Sequence, residues 1–370
     1  MRYPVLLCFA ALAGCSSPEE AELVCNGADL NTDPNNCGEC GTSCGGGTCA
    51  LGLCQVATLA TGQDKPTGIA VDATRIVWTT EGAQKGDPTG TLATCPLTGC
   101  PGNLPEKVLY RQLGRPSNPI LVADKIYFVH GVLGTAGGDI TGFVPEVGSF
   151  AGEALGTPLM WWGSRRDVTS LAVADNAIYF GTLEQYDGAQ DAFAATCAAT
   201  GCPNNGTEVY LLADARKSIS SIIVDKQFAY YAEFGSATIA KVSRATGNPV
   251  TLFSAELGAL HLAQDDTHLY WGTSVPAQQG ITVKNYIARG AKAGGTKEKL
   301  ADVAAVTSVA VDGDWVYFAD TSGLVGRVAK SGGAVETLAT AQKMPRGLAV
   351  AGGFLYWANH AGGSIHRLRI

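Results

Sequence analysis

The chain has 370 residues, enough for about two ordinary domains or for one large all-β domain with appendages. Glycine supplies 47 of them, well above the usual ~7%, and charged side chains reach only 16% against the common ~25%. A net charge of −7 leaves no basic footprint for nucleic acid or for anionic lipid, and a phosphate-binding groove is excluded as a leading reading.

Arg2 is followed by the apolar run Val5 to Ala13 and then by small residues, the layout of a secretory signal. The run is too short to span a bilayer. Leu12-Ala13-Gly14-Cys15 resembles the lipobox of bacterial lipoproteins, which implies lipidation of Cys15 and cleavage before it. Residues 1–14 are then a signal peptide and 15–24 a lipidated tether, and the membrane is met only through the anchor. The other reading is an ordinary cleaved signal with Cys15 as a spare thiol.

Six cysteines, Cys25, Cys37, Cys40, Cys44, Cys49 and Cys54, crowd into a leader of residues 25–54 with almost no large apolar side chains. Only covalent staples hold such a segment, so three disulfides are expected, in a pairing that the sequence does not choose. An iron–sulfur site lacks its fourth spacing. A calcium loop at Asp29, Asn31 and Asp33 meets Pro34 where that loop needs glycine. Four further cysteines form two copies of one device, Cys95 with Cys100 and Cys197 with Cys202, each read as a local disulfide rather than half of a zinc site.

From residue 55 onward a pattern recurs: an apolar triplet, a short polar turn and an aromatic strand. Its copies are Ile69-Ala-Val71 with Ile76-Val-Trp78, Ile120-Leu-Val122 with Ile126-Tyr-Phe128, and Leu171-Ala-Val173 with Ile178-Tyr-Phe180. It continues as Ile222-Ile-Val224 with Ala229-Tyr-Tyr231, His261-Leu-Ala263 with Leu269-Tyr-Trp271, Val309-Ala-Val311 with Val316-Tyr-Phe318, and Leu348-Ala-Val350 with Leu355-Tyr-Trp357. The spacing of about 40 to 50 residues is that of a propeller blade. Third strands alternate, as in Thr238-Ile-Ala-Lys-Val242, and a fourth follows in most units, whereas unit seven runs out at Ile370. Its missing partner is Val56-Ala-Thr-Leu59, which reads like Val335-Glu-Thr-Leu338 and is expected to close the ring. The predicted fold is an all-β propeller over 55–370, most simply of seven four-stranded blades, with little helix.

The Tyr-Trp-Ala-Asn359 and Tyr-Phe-Ala-Asp320 strand ends, with the Gly-x-Ile/Val-x-Arg runs after them, resemble YWTD-type propeller repeats. The whole chain is similar to lipoproteins of large-genome Gram-negative bacteria that join an Asp-Pro-Asn-Asn-Cys-Gly leader to such a propeller. The resemblance implies an outer-membrane lipoprotein facing the periplasm or the cell surface. YWTD propellers have six blades and unit two here is degenerate, so six and eight stand beside seven.

Second strands end at Thr80, His130, Thr182, Glu233, Thr273, Asp320 and Asn359, before the long loops at 81–89, 131–139, 184–191 and 274–284. That polar ring reads either as a ligand or cation site, with His130, Glu233, Asp320 and Asn359 as candidates, or as side chains that satisfy loop backbone. Arg111, Arg115, Arg165, Arg166, Arg216 and Arg346, beside Trp161 and Trp162, are expected on the same face and suit an acidic or sugar-like ligand. Enzymatic constellations are thin, with no His-x-x-x-His, no Gly-x-Ser-x-Gly and no phosphate loop, and a lyase or hydrolase would use His130 or His360 with Glu233. The leading expectation is a monomeric, non-catalytic binding or scaffold module for a protein or glycan, with no cofactor and no metal. An axis-mouth enzyme and a purely structural surface protein are the alternatives.

Overall fold

The computed structural model describes residues 25, 27–82, 89–105, 107–123, 125–133, 143–151, 154–155, 168–183, 192–199, 210–276 and 284–370. Cys15, Trp161, Trp162, Arg165, Arg166 and Cys202 lie outside them.

The leader carries one hairpin, β1 (Cys49–Ala50) with β2 (Leu53–Cys54), and three disulfides, Cys25–Cys40, Cys37–Cys49 and Cys44–Cys54. Cys37, Cys44 and Cys54 lie together, but each is already bonded to another sulfur. The would-be calcium carboxylates close turns: Asp29 accepts from the Asn31 N–H and the Thr32 hydroxyl, and Asp33 from the Asn35 N–H.

Next come β3 (Ala57–Ala60), β4 (Pro66–Val71), β5 (Arg75–Thr80), β6 (Gly90–Pro96) and the long β7 (Lys107–Val122). β8 (Lys125–Leu133), β9 (Phe143–Ala151) and β10 (Ala154–Leu155) follow. Unit three holds β11 (Val168–Ala174), β12 (Ala177–Thr182), β13 (Ala192–Ala198) and β14 (Tyr210–Arg216). Unit four holds β15 (Ile219–Val224), β16 (Phe228–Glu233), β17 (Thr238–Ser243) and β18 (Gly247–Phe253). Unit five holds β19 (Ala259–Gln264), β20 (His268–Thr273), β21 (Asn285–Ala291) and β22 (Glu298–Val303). Unit six holds β23 (Val306–Asp312), β24 (Trp315–Asp320), β25 (Val325–Ala329) and β26 (Glu336–Ala339). The chain finishes with β27 (Pro345–Ala351), β28 (Phe354–Asn359) and β29 (Ser364–Arg369). Among the described residues the one helical segment is a 3-10 turn, Pro101–Asn103.

These strands make an all-β propeller, but the expectation of seven separate blades is corrected to six sheets. Five have four strands, and the sixth has seven, in the order β10-β9-β8-β7-β6-β5-β4. The cause is β7, which pairs with β6 through Leu113 and with β8 from Gly114 onward. Extended backbone passes from unit one to unit two without a turn, so the two units share a sheet. The last sheet is β27-β28-β29-β3, in which Ile365, His366 and Arg367 face Ala60, Thr58 and Ala57. The propeller's first strand, β3, therefore completes its final blade, and Leu59 and Ala60 join Ile69, Trp78 and Tyr356 in one buried cluster.

Each second strand is a continuous buried run because neighbouring sheets cover both of its faces. Gly181 and Gly272 sit where Ile219 and Val306 of the next unit press against the strand and leave no room for a Cβ. On the face with the short turns, Asp225 accepts from the Gln227 and Phe228 N–H groups and the Tyr230 hydroxyl, and it pairs with Lys292 of the next unit. Asp265, Tyr270 and Lys330 repeat the arrangement one unit on, and Arg244 reaches back to Asp175 in the same way.

Candidate functional site

Among the described residues the polar ring at the second-strand ends is largely taken up by its own blades, with Asn359 Oδ1 left buried and unpaired. Glu233 is fully buried and accepts from Arg216 Nε at 2.6 Å, Arg216 Nη2 at 3.0 Å, the Lys217 N–H and the Ser236 and Thr238 hydroxyls. Those donors outweigh burial and hold its carboxyl below the usual range. Asp320 caps the following turn through the Ser322 and Leu324 N–H groups. Asn359 donates to Gln342 Oε1, which also takes the Trp357 indole N–H. Thr182 and Thr273 take the N–H groups of Phe193 and Tyr286 on their third strands. His130 lies on β8 opposite Glu146, with its side chain outside the described residues. Glu233 and His360 are not brought together: His360 Nε2 instead meets Glu81 Oε2 at 3.1 Å, a contact that ties unit seven to unit one.

The open space lies further in. A cavity of about 500 Å³ runs along the axis between the first strands, lined among others by Thr67, Asn118, His261, Thr307, Met344 and Arg346. That size falls within the ordinary range of small-molecule pockets, ~300–1,000 Å³. Ser274 and Thr321, just past the ends of β20 and β24, also line it, so it opens on the long-loop face.

The first strands are bulged near their start, and the residue there has a shared task. Thr67 donates to the Pro116 carbonyl, Asn118 to Thr169, Thr169 to Ile219, Ser220 to Ala259 and Thr307 to Pro345. Each bond reaches the next unit, so five side chains stitch the ring around the axis. Two positions break the series: Leu260 in unit five and Arg346 in unit seven.

Register also corrects the unit-five triplet. Ala259 faces Thr273 as Pro66 faces Thr80, so Leu262-Ala-Gln264, not His261-Leu-Ala263, matches Ile69-Ala-Val71. His261 falls one place past the bridging position, level with Gly347 in unit seven. Gly347 has φ 61°, and His261 holds φ 53° despite its side chain, a conformation that costs roughly 1–2 kcal/mol for an ordinary residue.

His261 and Arg346 interact through space within the cavity. Burial and the Arg346 charge push the His261 imidazole down to about 4, so it is neutral at pH 7. Burial also lowers the Arg346 guanidinium, partly offset by Glu81. Among the described residues neither side chain has a hydrogen bond or an ion pair. The arginine rim expected from sequence thus divides. Arg216 is spent on Glu233, Arg111 is exposed on β7, and Arg346 faces the axis. The ring of bridging side chains was missed by sequence reasoning, although aligning Pro66-Thr67-Gly68 with Pro345-Arg346-Gly347 displays the exchange.

Around the mouth four large apolar side chains are exposed: Leu183, Phe234, Leu257 and Met344. Leu183 and Phe234 directly follow second strands, while Leu257 and Met344 precede first strands, which places all four on the long-loop face.

No protein-family model and no curated protein sequence matches this chain. Solved structures do. Virginiamycin B lyase from Staphylococcus aureus covers 85% of this chain and 98% of its own at 16% identity, with a TM-score of 0.59. A catalytically inactive variant of that lyase with quinupristin gives 0.56 at 15% identity, covering 85% and 99%. BamB from Moraxella catarrhalis gives 0.51 at 15% identity, covering 83% and 84%. These likenesses establish the β-propeller fold.

Proposed function

We propose that the chain is an envelope-anchored lipoprotein whose propeller binds a partner protein through the long-loop face. The observation that carries this reading is the set of exposed apolar side chains Leu183, Phe234, Leu257 and Met344 on the face where the axial cavity opens, with Met344 itself in the cavity wall. Of the eleven exposed large apolar side chains among the described residues, these four share the long-loop face, and contiguous exposed apolar surface marks interaction sites. Phenylalanine and methionine are enriched at the core of protein interfaces. The glycan alternative leaned on Trp161, Trp162, Arg165 and Arg166, which lie outside the described residues.

A scaffold role also accords with how Glu233, Asp320 and Asn359 are used: they fix loops, and a saturated carboxylate such as Glu233 is poorly placed to move a proton. The anchor belongs to the same proposal and rests on Cys15. Cys15→Ala is expected to release the chain from the membrane fraction, and a variant that still sediments with lipid refutes the anchor.

The experiment for the binding face is photo-crosslinking from position 234 in the native envelope. A discrete protein adduct, lost when Leu257 becomes Asp, is expected. Equal adduct yield from Leu257→Asp, or crosslinks to glycan alone, overturns the protein reading.

A further inference from the structure

We infer that the axial cavity is a binding site for a monocarboxylate with an apolar body, held by Arg346 and His261. This deepens the binding role proposed above and rests on it.

The repeat supplies its own controls. At the place where five units carry a hydroxyl or amide that stitches one unit to the next, unit seven carries Arg346, and that bridge is absent. A position that has given up a structural bond for a half-buried cation, which among the described residues makes no hydrogen bond or ion pair, needs another reason for the exchange. The adjacent anomaly agrees: His261 keeps a left-handed backbone that its counterpart Gly347 adopts without a side chain. Both residues line the same cavity.

The chemistry sets the ligand class. Arg346 contributes one fixed positive charge and a planar fork that matches a carboxylate, and the neutral His261 ring can donate one N–H. The acid whose charge acts on Arg346, Glu81, has its Oε2 engaged by His360. A monoanion matches this site better than a phosphate dianion, which would want several donors and cations. Ile69, Ile120, Leu171, Leu260 and Val306 complete the wall and offer an apolar surface to the rest of the ligand. The carboxylate could belong to a free organic acid or to the C-terminus of a peptide entering from the mouth, and the two sources share this chemistry.

The test is calorimetric titration of the full chain with hexanoate and hexanamide, and with a leucine-ending tetrapeptide bearing a free or an amidated C-terminus. The acid of at least one pair is expected to bind and its amide to bind far more weakly. A preference for hexanoate assigns a free acid, and one for the peptide acid assigns a protein tail. Arg346→Thr installs the bridging residue of units one, three and six, so this variant is expected to fold. It should lose roughly 30-fold or more in affinity, the lower range for removing one partner of a buried charge pair. His261→Gly should weaken binding while relaxing the backbone. If acids and amides bind alike, if neither acid binds, or if Arg346→Thr binds as the parent does, the inference is wrong. Because Phe234 and Leu257 lie outside the cavity lining, loss of crosslinks there and loss of acid binding here are separate results.

Discussion

Arg367 on the last strand donates from Nη1 to the carbonyl of Leu97, 270 positions earlier, inside the turn that Cys95 and Cys100 close. Its Nη2 reaches the Thr98 carbonyl, and its guanidinium lies 5.3 Å from the centre of the Phe354 ring. Gly45 and Gly46 of the leader press on this same pair of side chains. Leader, first unit and last unit therefore meet on one arginine, which is only 4% exposed.

Replacing Arg367 by Ala should destabilise the propeller by about 2–4 kcal/mol, because two carbonyl acceptors lose their donor and a packed side chain is removed. Urea unfolding that shifts by less than about 0.5 kcal/mol, the range of ordinary surface changes, would contradict this.

From sequence alone, loss of Ser16 to Cys49 is expected to leave the propeller untouched, since the leader is stapled within itself. The contacts of Gly45 and Gly46 revise that expectation. Such a truncation uncovers Phe354 and Arg367 and should lower the melting temperature by several degrees, on the order of 1–2 kcal/mol. Deleting Gln55 to Thr61 should do far more, removing β3 and baring the β29 edge. The check is thermal melting with light scattering, in which the second deletion aggregates and the first does not.

His366 reports on the same seam. It faces Thr58 of β3, lies beside the Ser364 hydroxyl and stacks on Trp357 at 5.6 Å. Burial pushes its imidazole down to about 4 from an ordinary 6.5. The unfolded chain takes up a proton near 6.5 while the folded chain resists until about 4. Stability contributed by the neutral ring is therefore whole above that window and is lost as pH falls through it, by up to ~3 kcal/mol. In His366→Gln this component should vanish from the pH dependence of unfolding between 7 and 4, to be compared with the parent by denaturant titration at each pH. Parallel curves would show that the seam does not titrate.

Glu256 is fully buried and accepts from the Trp271 indole, the Tyr286 hydroxyl and Lys297. Gln63 and Gln342 take the indole N–H of Trp78 and Trp357 from the matching positions. Glu256→Gln thus reproduces what units one and seven already use and should cost about 1 kcal/mol. Glu256→Leu strands the buried Trp271 indole and the half-buried Tyr286 hydroxyl, besides Lys297, and should cost about 3 kcal/mol or more. Equal melting temperatures for the two variants would refute the argument.

The aromatic second strands were legible because burial on both faces leaves an uninterrupted apolar run, and Val56 to Leu59 could be matched to Val335 to Leu338 as an outer strand. The shared sheet was not. Gly114-Arg115-Pro116 reads as a break, yet pairing partners decide whether extended backbone turns, and those are distant in sequence. The fate of Glu233 was equally hidden, since only the fold brings Arg216 beside it. Arg346 was visible as a rim arginine, but its position facing the axis depends on the register of β27, where it stands opposite Ala358.

The seating of the leader on Phe354 and Arg367 has a geometric outcome. Phe354 begins β28 and Arg367 lies near the end of β29, so both belong to the face with the short turns, opposite the axial mouth. The stapled leader is a pedestal under that face, so the described chain begins on the side opposite the mouth. Under the anchoring proposed at Cys15, the mouth, with Phe234 and Met344 on its face, would point away from the bilayer, toward whatever arrives from the solvent side.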